Sequence, residues 1–444
     1  MDNNKINLLL ESQKLCNIII DAINHLINNP SDNNVKAQLI NSFKNLSSSL
    51  KTEFEDEPDV LNLLNKTTNI LNKDVTDYSS IKESIYTLIT IVSTTIAQHI
   101  YNEVQTVKHL DKSLSDNLLT YISSMSCRIE NIENLFLDIC IKSSVTNPLN
   151  AYNLGLDLLN KFPKILSSKG YGHPEYEFKQ TKQRTFKCCP ICHGEGKPYF
   201  NAFAYRMVNF DAPHLPFKLW MSCNNCSNLY AYRYPEELLE LSDNSTLITP
   251  DSNEYLSTTD STSTTILSDW ASILERLSTY TSGKRLLEVG IGKGELIAVA
   301  LELGYDVNAV ELMPSSAKRV SNMLNVPIYN GDFLNYTSEE KYSIITMGDV
   351  IEHVTSPEDA LKNAYNLLED GGVLWVSTPN YESAFSRIKK FDDPMWMTSN
   401  HITYFSYIGF ANLAEKCNFK IVDYQISRRY NGSMELILVK DLDK

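Results

Sequence analysis

Apolar positions recur at steps of three and four along the first part of the chain, as in Leu15, Ile19, Ile23 and Leu26. This period places the apolar side chains on one face of a helix and predicts an all-α domain over residues 1–165. The polar faces are rich in asparagine and poor in lysine and glutamate. We interpret this domain as a helical bundle that positions a substrate, associates with itself or binds a protein partner.

Towards the C-terminus the pattern changes to short apolar runs that alternate with helical segments. Such alternation is typical of a parallel sheet with helices on its faces. It predicts an α/β, doubly wound, Rossmann-like domain over residues 269–444, entered by a helix around Trp270. The predicted strands are residues 286–289, 306–311, 326–329, 343–348, 373–377, 419–422 and 434–439.

Between these two patterns, residues 170–240 carry two C-x-x-C pairs. Each pair can turn two thiolates to one side of a tight turn, and two pairs complete a four-sulfur site that suits Zn²⁺. We therefore predict a small zinc-ribbon-like module with a structural zinc, held by Cys189, Cys192, Cys223 and Cys226. Cys188 is a spare thiol, and His193 or His214 are alternative ligands. Unrelated reduced cysteines, or a redox-active pair, are the competing interpretations.

A serine- and threonine-rich stretch, residues 241–268, separates the module from the α/β domain. Its low complexity is typical of a mobile linker or lid. The chain is therefore predicted to be multidomain, with an all-α segment, a zinc-binding module, this linker and an α/β domain in that order.

Composition narrows the class of protein. The net charge of −14 argues against a protein that binds nucleic acid mainly through contacts with the phosphate groups of the nucleic acid. We find no signal peptide and no transmembrane segment, and five of the nine cysteines fall within residues 188–226. That clustering favours metal chemistry in a reducing compartment over a disulfide framework, so a cytoplasmic location is expected.

A glycine-rich turn follows the first strand of the α/β domain, with Gly290, Gly292 and Gly294 spaced by single residues. A strand, a tight glycine turn and a helix N-terminus form a site where backbone can approach a ligand that a Cβ would exclude. Glu288 would repel a pyrophosphate but attract a ligand that carries an amine and a sulfonium. Glu311 ends the second strand, where an acidic side chain can accept both hydroxyls of a ribose.

The segment from Glu288 to Gly294 resembles motif I of the class I S-adenosylmethionine (SAM) methyltransferases, written E-x-G-x-G-x-G. The resemblance implies that SAM is the cofactor and that Asp332 and Phe333 contact its adenine. Asp349 is assigned to the same cofactor site. Residues 349–354 and 401–406 are similar to the small-molecule branch that includes the ubiquinone-pathway O-methyltransferases. A cysteine module before the catalytic domain is similar to sugar C-methyltransferases.

This resemblance implies O- or C-methylation of a small-molecule or glycan acceptor, with no catalytic metal. His401 and His353 are the candidate bases, since an imidazole titrates near neutral pH. Each histidine could instead have a structural role. His353 would then hold the loop after the fourth strand, and His401 would pack against the sheet. Trp396, Tyr404 and Phe405 would form the apolar wall of the acceptor pocket. The alternatives are a protein or RNA methyltransferase that uses the zinc module for recognition, and a non-catalytic SAM-binding scaffold.

Overall fold

The computed structural model describes residues 3–51, 58–71, 77–106, 112–113, 115–118, 137, 140–164, 166, 177–203, 215–236, 265–398 and 400–442. The chain divides into two compact units, Met1–Ile165 and Leu166–Lys444. Within the described residues, no helix has the length and apolar character needed to cross a membrane.

The first unit is helical, as the apolar period predicts. Its helices are α1 (Asn3–Asn28), α2 (Asn33–Leu50), α3 (Pro58–Leu71), α4 (Ser79–Thr106) and α5 (Pro148–Lys161). The buried positions of α2 follow the expected spacing, with Leu39, Phe43, Leu46 and Leu50 on one face. Asp32 begins this helix, because its carboxylate accepts hydrogen bonds from the backbone N–H groups of two residues in the first turn.

The second unit contains a seven-stranded sheet. Its strands are β6 (Arg285–Val289), β7 (Asp306–Glu311), β8 (Ile328–Asn330), β9 (Tyr342–Gly348), β10 (Leu368–Pro379), β12 (Phe419–Ile426) and β13 (Ser433–Lys440). Their order in the sheet is β12-β13-β10-β9-β6-β7-β8. Strands β6 to β10 are mutually parallel, and the α/β prediction is confirmed for them. The helices are α6 (Thr265–Ser278), α7 (Glu295–Glu302), α8 (Pro314–Leu324), α9 (Pro357–Leu367), α10 (Ala384–Lys389) and α11 (Tyr407–Lys416).

The last two strands depart from the expected parallel arrangement. β12 pairs antiparallel with β13, and β13 pairs antiparallel with β10. The reason is the length of the connection, because residues 427–432 can turn a hairpin but cannot make the crossover that a parallel neighbour requires.

The cysteine-rich segment forms β1 (Gln183–Thr185), β2 (Gly196–Phe203), β3 (Phe217–Cys223), β4 (Leu229–Ala231) and β5 (Arg233–Pro235). β2 and β3 pair antiparallel. The sheet continues through β4 to β11 (Thr403–Tyr404), a strand supplied by the α/β part of the chain. Cys189 and Tyr230 share a hydrophobic core with residues of the large sheet such as Leu287 and Val289. The cysteine-rich segment therefore packs as part of the second unit.

Most of the predicted linker or lid, residues 241–264, lies outside the described residues, and so does His214. Residues 265–268 already belong to α6. The domain boundaries given by the sequence stay predictions.

Candidate functional site

The glycine turn joins β6 to α7, and all three glycines have positive φ angles: +75° at Gly290, +51° at Gly292 and +89° at Gly294. A Cβ on Gly290 would lie 2.5 Å from a methyl of Val350, and one on Gly294 would lie 2.8 Å from a methyl of Val320. At Gly292 a Cβ would meet no atom of the residues that the structure describes within 4 Å. The outer two glycines are thus required by packing and backbone conformation, whereas the middle one leaves open space beside the backbone.

Glu311 stands at the end of β7 beside this turn. Its two carboxylate oxygens accept hydrogen bonds from the backbone N–H of Ile291 at 3.1 Å and from that of Met313 at 2.8 Å. Burial raises the pKa of Glu311, and the backbone hydrogen bonds partly offset that rise. Since each carboxylate oxygen has two lone pairs, both retain acceptor capacity for a ligand.

A cavity of about 230 Å³ opens above the turn. Five of the predicted site residues line it: Gly290, Glu311, Asp332, Phe333 and His353. One oxygen of Asp332 accepts the backbone N–H of Leu334 at 2.9 Å, and Phe333 is buried. Tyr234 and Asn400 also line this first cavity, and sequence reasoning had assigned neither of them a role.

The other four predicted cofactor residues, Glu288, Gly292, Gly294 and Asp349, lie outside the lining of the first cavity. Glu288 is buried, and one of its oxygens has no hydrogen-bond partner among the described residues. Its pKa is raised by burial and by the nearby charges of Glu295 and Glu311, while Arg429 opposes the rise. Asp349 accepts the Ser377 hydroxyl at 3.0 Å and forms an ion pair with Arg429.

A second cavity of about 480 Å³ is lined by Asp349, Glu352, Asp393 and His401 on its polar side. Its apolar side comes from Phe385, Met395 and Tyr430. Trp396, Tyr404 and Phe405, the predicted apolar wall, are buried and are not among the residues that line this cavity. Two of them pack into the small sheet instead, where the Trp220 and Tyr404 rings have centroids 4.3 Å apart.

The two predicted bases stand together between the cavities. The His353 and His401 rings have centroids 4.6 Å apart, with His353 on the first cavity and His401 on the second. Burial lowers the pKa of His353 to about 4, although a hydrogen bond to Asn400 opposes it. Burial also holds the pKa of His401 well below its usual range, with smaller contributions from His353 and Lys218. Both imidazoles are therefore neutral at pH 7.

Three neighbours of this pair were missed by sequence reasoning. Glu352 is fully buried, and its carboxyl accepts the Thr378 hydroxyl at 3.0 Å. Lys218 of β3 donates to the backbone carbonyl of His401, and the Tyr234 hydroxyl donates to that of Asn400 at 3.0 Å. The position of Glu352 beside His353 was visible in the sequence, but the contacts of Lys218 depend on tertiary packing alone.

The four predicted metal ligands come together in the small sheet. The sulfur atoms of Cys189 and Cys226 are 3.7 Å apart, and those of Cys192 and Cys223 are 3.4 Å apart. A tetrahedral site with Zn–S bonds of 2.3 Å requires sulfur atoms about 3.8 Å apart. Two of the sulfurs also accept backbone N–H groups at 3.4 Å, as expected of thiolates in C-x-x-C turns. The donor set therefore fits a divalent metal.

Comparisons with known proteins concern the α/β part of the chain. Residues 264–424 match the family model described as "Methyltransferase domain". A ubiquinone biosynthesis O-methyltransferase from Glaesserella parasuis is 36% identical over 109 residues, which are 22% of this chain and 46% of that protein. One from Coxiella burnetii is 32% identical over 104 residues, covering 22% and 44%. The chain thus matches less than half of the length of these relatives.

Among solved structures, a SAM-dependent methyltransferase from Clostridium acetobutylicum has 13% identity and a TM-score of 0.33. The alignment covers 39% of this chain and 92% of that one. The matched family, the glycine turn and the parallel strands β6 to β10 together show that the chain carries a class I SAM-dependent methyltransferase domain.

Proposed function

We propose that the protein transfers the methyl group of SAM to an oxygen of a small-molecule acceptor, a class that includes sugars. The observation that carries this proposal is the pair of neighbouring cavities with the neutral His353–His401 pair between them. One cavity adjoins the glycine turn, and the other is lined by carboxylates and aromatic rings. This arrangement suits a reaction between two bound molecules. The named O-methyltransferase relatives support oxygen as the accepting atom.

SAM would occupy the first cavity and supplies an electrophilic methyl group on a positively charged sulfur. Glu311 would accept the ribose hydroxyls, while Asp332 and Phe333 would contact the adenine. Gly292 leaves the backbone open to the ligand. Glu288 and Asp349 are proposed to favour the positive end of SAM through their charge.

The acceptor would occupy the second cavity, with its hydroxyl directed at the His353–His401 pair. Methyl transfer is an in-line displacement, so the protein contributes mainly by aligning the two molecules. The acceptor oxygen must also lose its proton as the new C–O bond forms and the C–S bond breaks. We assign the activation of that hydroxyl to the imidazole pair.

The four-cysteine site is proposed to hold a structural Zn²⁺. It would stabilise the turns at the ends of β2 and β3. The stability of these turns matters for the reaction because β4 of the same sheet pairs with β11, which begins two residues after His401. The metal is therefore assigned to folding, and it takes no part in the chemistry.

The proposal is tested by incubating the purified chain with SAM labelled in its methyl group and with extracts fractionated into small molecules, glycans, protein and RNA. We expect label in a small-molecule or glycan fraction, and its loss in the His401→Ala variant. Label in the protein or RNA fraction would show that the acceptor is a protein or an RNA and not a small molecule or glycan. SAM binding without transfer to any fraction would instead support a non-catalytic SAM-binding scaffold.

A further inference from the structure

The charged side chains that line the second cavity are all of one sign. Asp349, Glu352 and Asp393 line it, and among the described residues no lysine or arginine does. His401 adds no positive charge, because burial holds its pKa well below its usual range. The first cavity, assigned to SAM, shares no lining residue with the second. The excess of carboxylates therefore acts on the molecule that binds in the second cavity.

Two cationic side chains act on this region from outside the lining, and each has a partner. Arg429 forms an ion pair with Asp349. The ammonium group of Lys218 donates to the backbone carbonyl of His401. The charge of one of the three carboxylates is thus offset by an ion pair.

Asp393 is buried, and its hydrogen bonds come from neutral donors. One carboxylate oxygen accepts the backbone N–H of Met395 at 3.0 Å, and the other accepts the Ser386 hydroxyl at 2.6 Å. These bonds orient the carboxylate without offsetting its charge. A buried carboxylate is stabilised most by a cationic partner, and each oxygen keeps a lone pair for one.

Glu352 is fully buried, and half of its carboxylate lacks a partner. One oxygen accepts the Thr378 hydroxyl at 3.0 Å, whereas the other is buried and has no hydrogen-bond partner among the described residues. Burial, followed by the charge of Asp349, raises the pKa of Glu352 well above its usual range. A cationic donor in the cavity would satisfy the second oxygen and favour the ionised carboxylate.

The rest of the lining suits an organic cation. The rings of Phe385 and Tyr430 line the cavity together with Met395. Aromatic rings attract ammonium groups and also pack against carbon skeletons. The volume of about 480 Å³ lies within the range of about 300–1,000 Å³ that is typical of small-molecule sites.

We propose that the acceptor carries a protonated amine in addition to the hydroxyl that is methylated, and that Glu352 and Asp393 bind this ammonium group. The part that concerns the hydroxyl rests on the proposed methyl transfer, whereas recognition of the amine does not require turnover. A protonated amine has no lone pair, so it cannot itself accept the methyl group. The ammonium group therefore orients the acceptor, and its hydroxyl oxygen remains the nucleophile.

The test compares two pairs of compounds by calorimetry, glucosamine with glucose and tyramine with tyrosol. Within each pair an ammonium group takes the place of a hydroxyl and the shape is nearly unchanged. The full-length protein is first loaded with S-adenosylhomocysteine, so that the first cavity is occupied. We expect the amine of at least one pair to bind at least tenfold more tightly than its hydroxyl counterpart.

Variants then locate the ammonium group. Glu352→Gln keeps the shape of the side chain and removes its charge, and it should reduce the preference for the amine to less than threefold. Asp393→Asn is the second variant and serves if Glu352→Gln does not fold. The matched control is Asp392→Asn, because Asp392 is exposed and does not line the cavity, and this variant should keep the full preference.

The affinity of each variant for S-adenosylhomocysteine is measured in parallel to show that the protein is folded. Absence of a preference for the amine in both pairs overturns the inference, and so does a preference that persists in the folded Glu352 and Asp393 variants. Failure of the wild-type protein to bind S-adenosylhomocysteine would instead count against the proposed function. The two pairs are then compared on the unloaded protein, so the two failures are distinguishable.

Discussion

The ion pair between Arg429 and Asp349 ties the β12–β13 hairpin to the segment that carries Glu352 and His353. The Arg429 side chain is 9% exposed and the Asp349 side chain 27% exposed. The guanidinium also lies 4.0 Å from the centroid of the Trp270 ring. Replacing the arginine therefore removes two interactions and leaves a largely buried carboxylate without its cation.

The ion pair and the ring contact determine how much the replacement of Arg429 should lower the free energy of unfolding. Removing one partner of a buried ion pair typically costs about 3–5 kcal/mol, and the exposure of Asp349 points to the lower end of that range. The ring contact adds about 0.5–1 kcal/mol. Arg429→Met should thus lower the free energy of unfolding by about 3–4 kcal/mol. The double variant Arg429→Met with Asp349→Asn should be less destabilised than the sum of the two single variants, by about 2 kcal/mol.

Urea unfolding followed by tryptophan fluorescence measures the free energy of unfolding of the second unit. All four tryptophans lie in that unit, at positions 220, 270, 375 and 396. The matched control is Arg428→Met, since Arg428 is 77% exposed and should change the free energy of unfolding by less than about 0.5 kcal/mol. If the two single effects add to within about 0.5 kcal/mol, the pair is not coupled and the reasoning is refuted.

Three further predictions concern the ligands. Gly292→Val should weaken SAM binding at least tenfold in calorimetry, about 1.4 kcal/mol, and unchanged affinity in a folded variant would contradict the cofactor site. Elemental analysis should find one zinc per chain, and Cys223→Ser should lose it; a wild-type content below about a fifth of an equivalent would count against the site. Because burial raises the pKa of Glu311, SAM affinity should fall on acidification from a pH above the ordinary glutamate value of 4.5. Glu311→Gln should abolish that pH dependence, and a persistent one would assign it to another group.

The elements of the fold could be predicted wherever the apolar period was long enough to define a helix or strand. The hairpin of β12 and β13 was misjudged because strand direction depends on the connection, which the apolar pattern does not report. β11 could not be predicted from the sequence because it has only two residues, Thr403 and Tyr404, and is a strand only through its pairing with β4. A strand of that length carries no periodic signal of its own.

The residues of the candidate site also differ in whether the sequence alone reveals them. A glycine-rich turn and an acid at a strand end leave a local signature, so Gly290 and Glu311 could be named from the sequence, whereas Asp332 was named from the family resemblance. The surroundings of the histidines could not, because Lys218 and Tyr234 reach the carbonyls of His401 and Asn400 from a distant segment. A lysine in a strand is ordinarily exposed, and only the structure shows this one to be buried.

The small sheet therefore supports the residues around both cavities as well as the cysteine cluster. Strand β3 runs from Phe217 to Cys223, so Lys218 and a predicted zinc ligand lie on one strand. Strand β4 pairs with β11, and Tyr234 both lines the first cavity and binds the Asn400 carbonyl. If the module unfolds without its metal, residues 400–404 lose this support and the first cavity loses Tyr234 from its lining. Loss of zinc should thus lower methyl transfer and weaken SAM binding together.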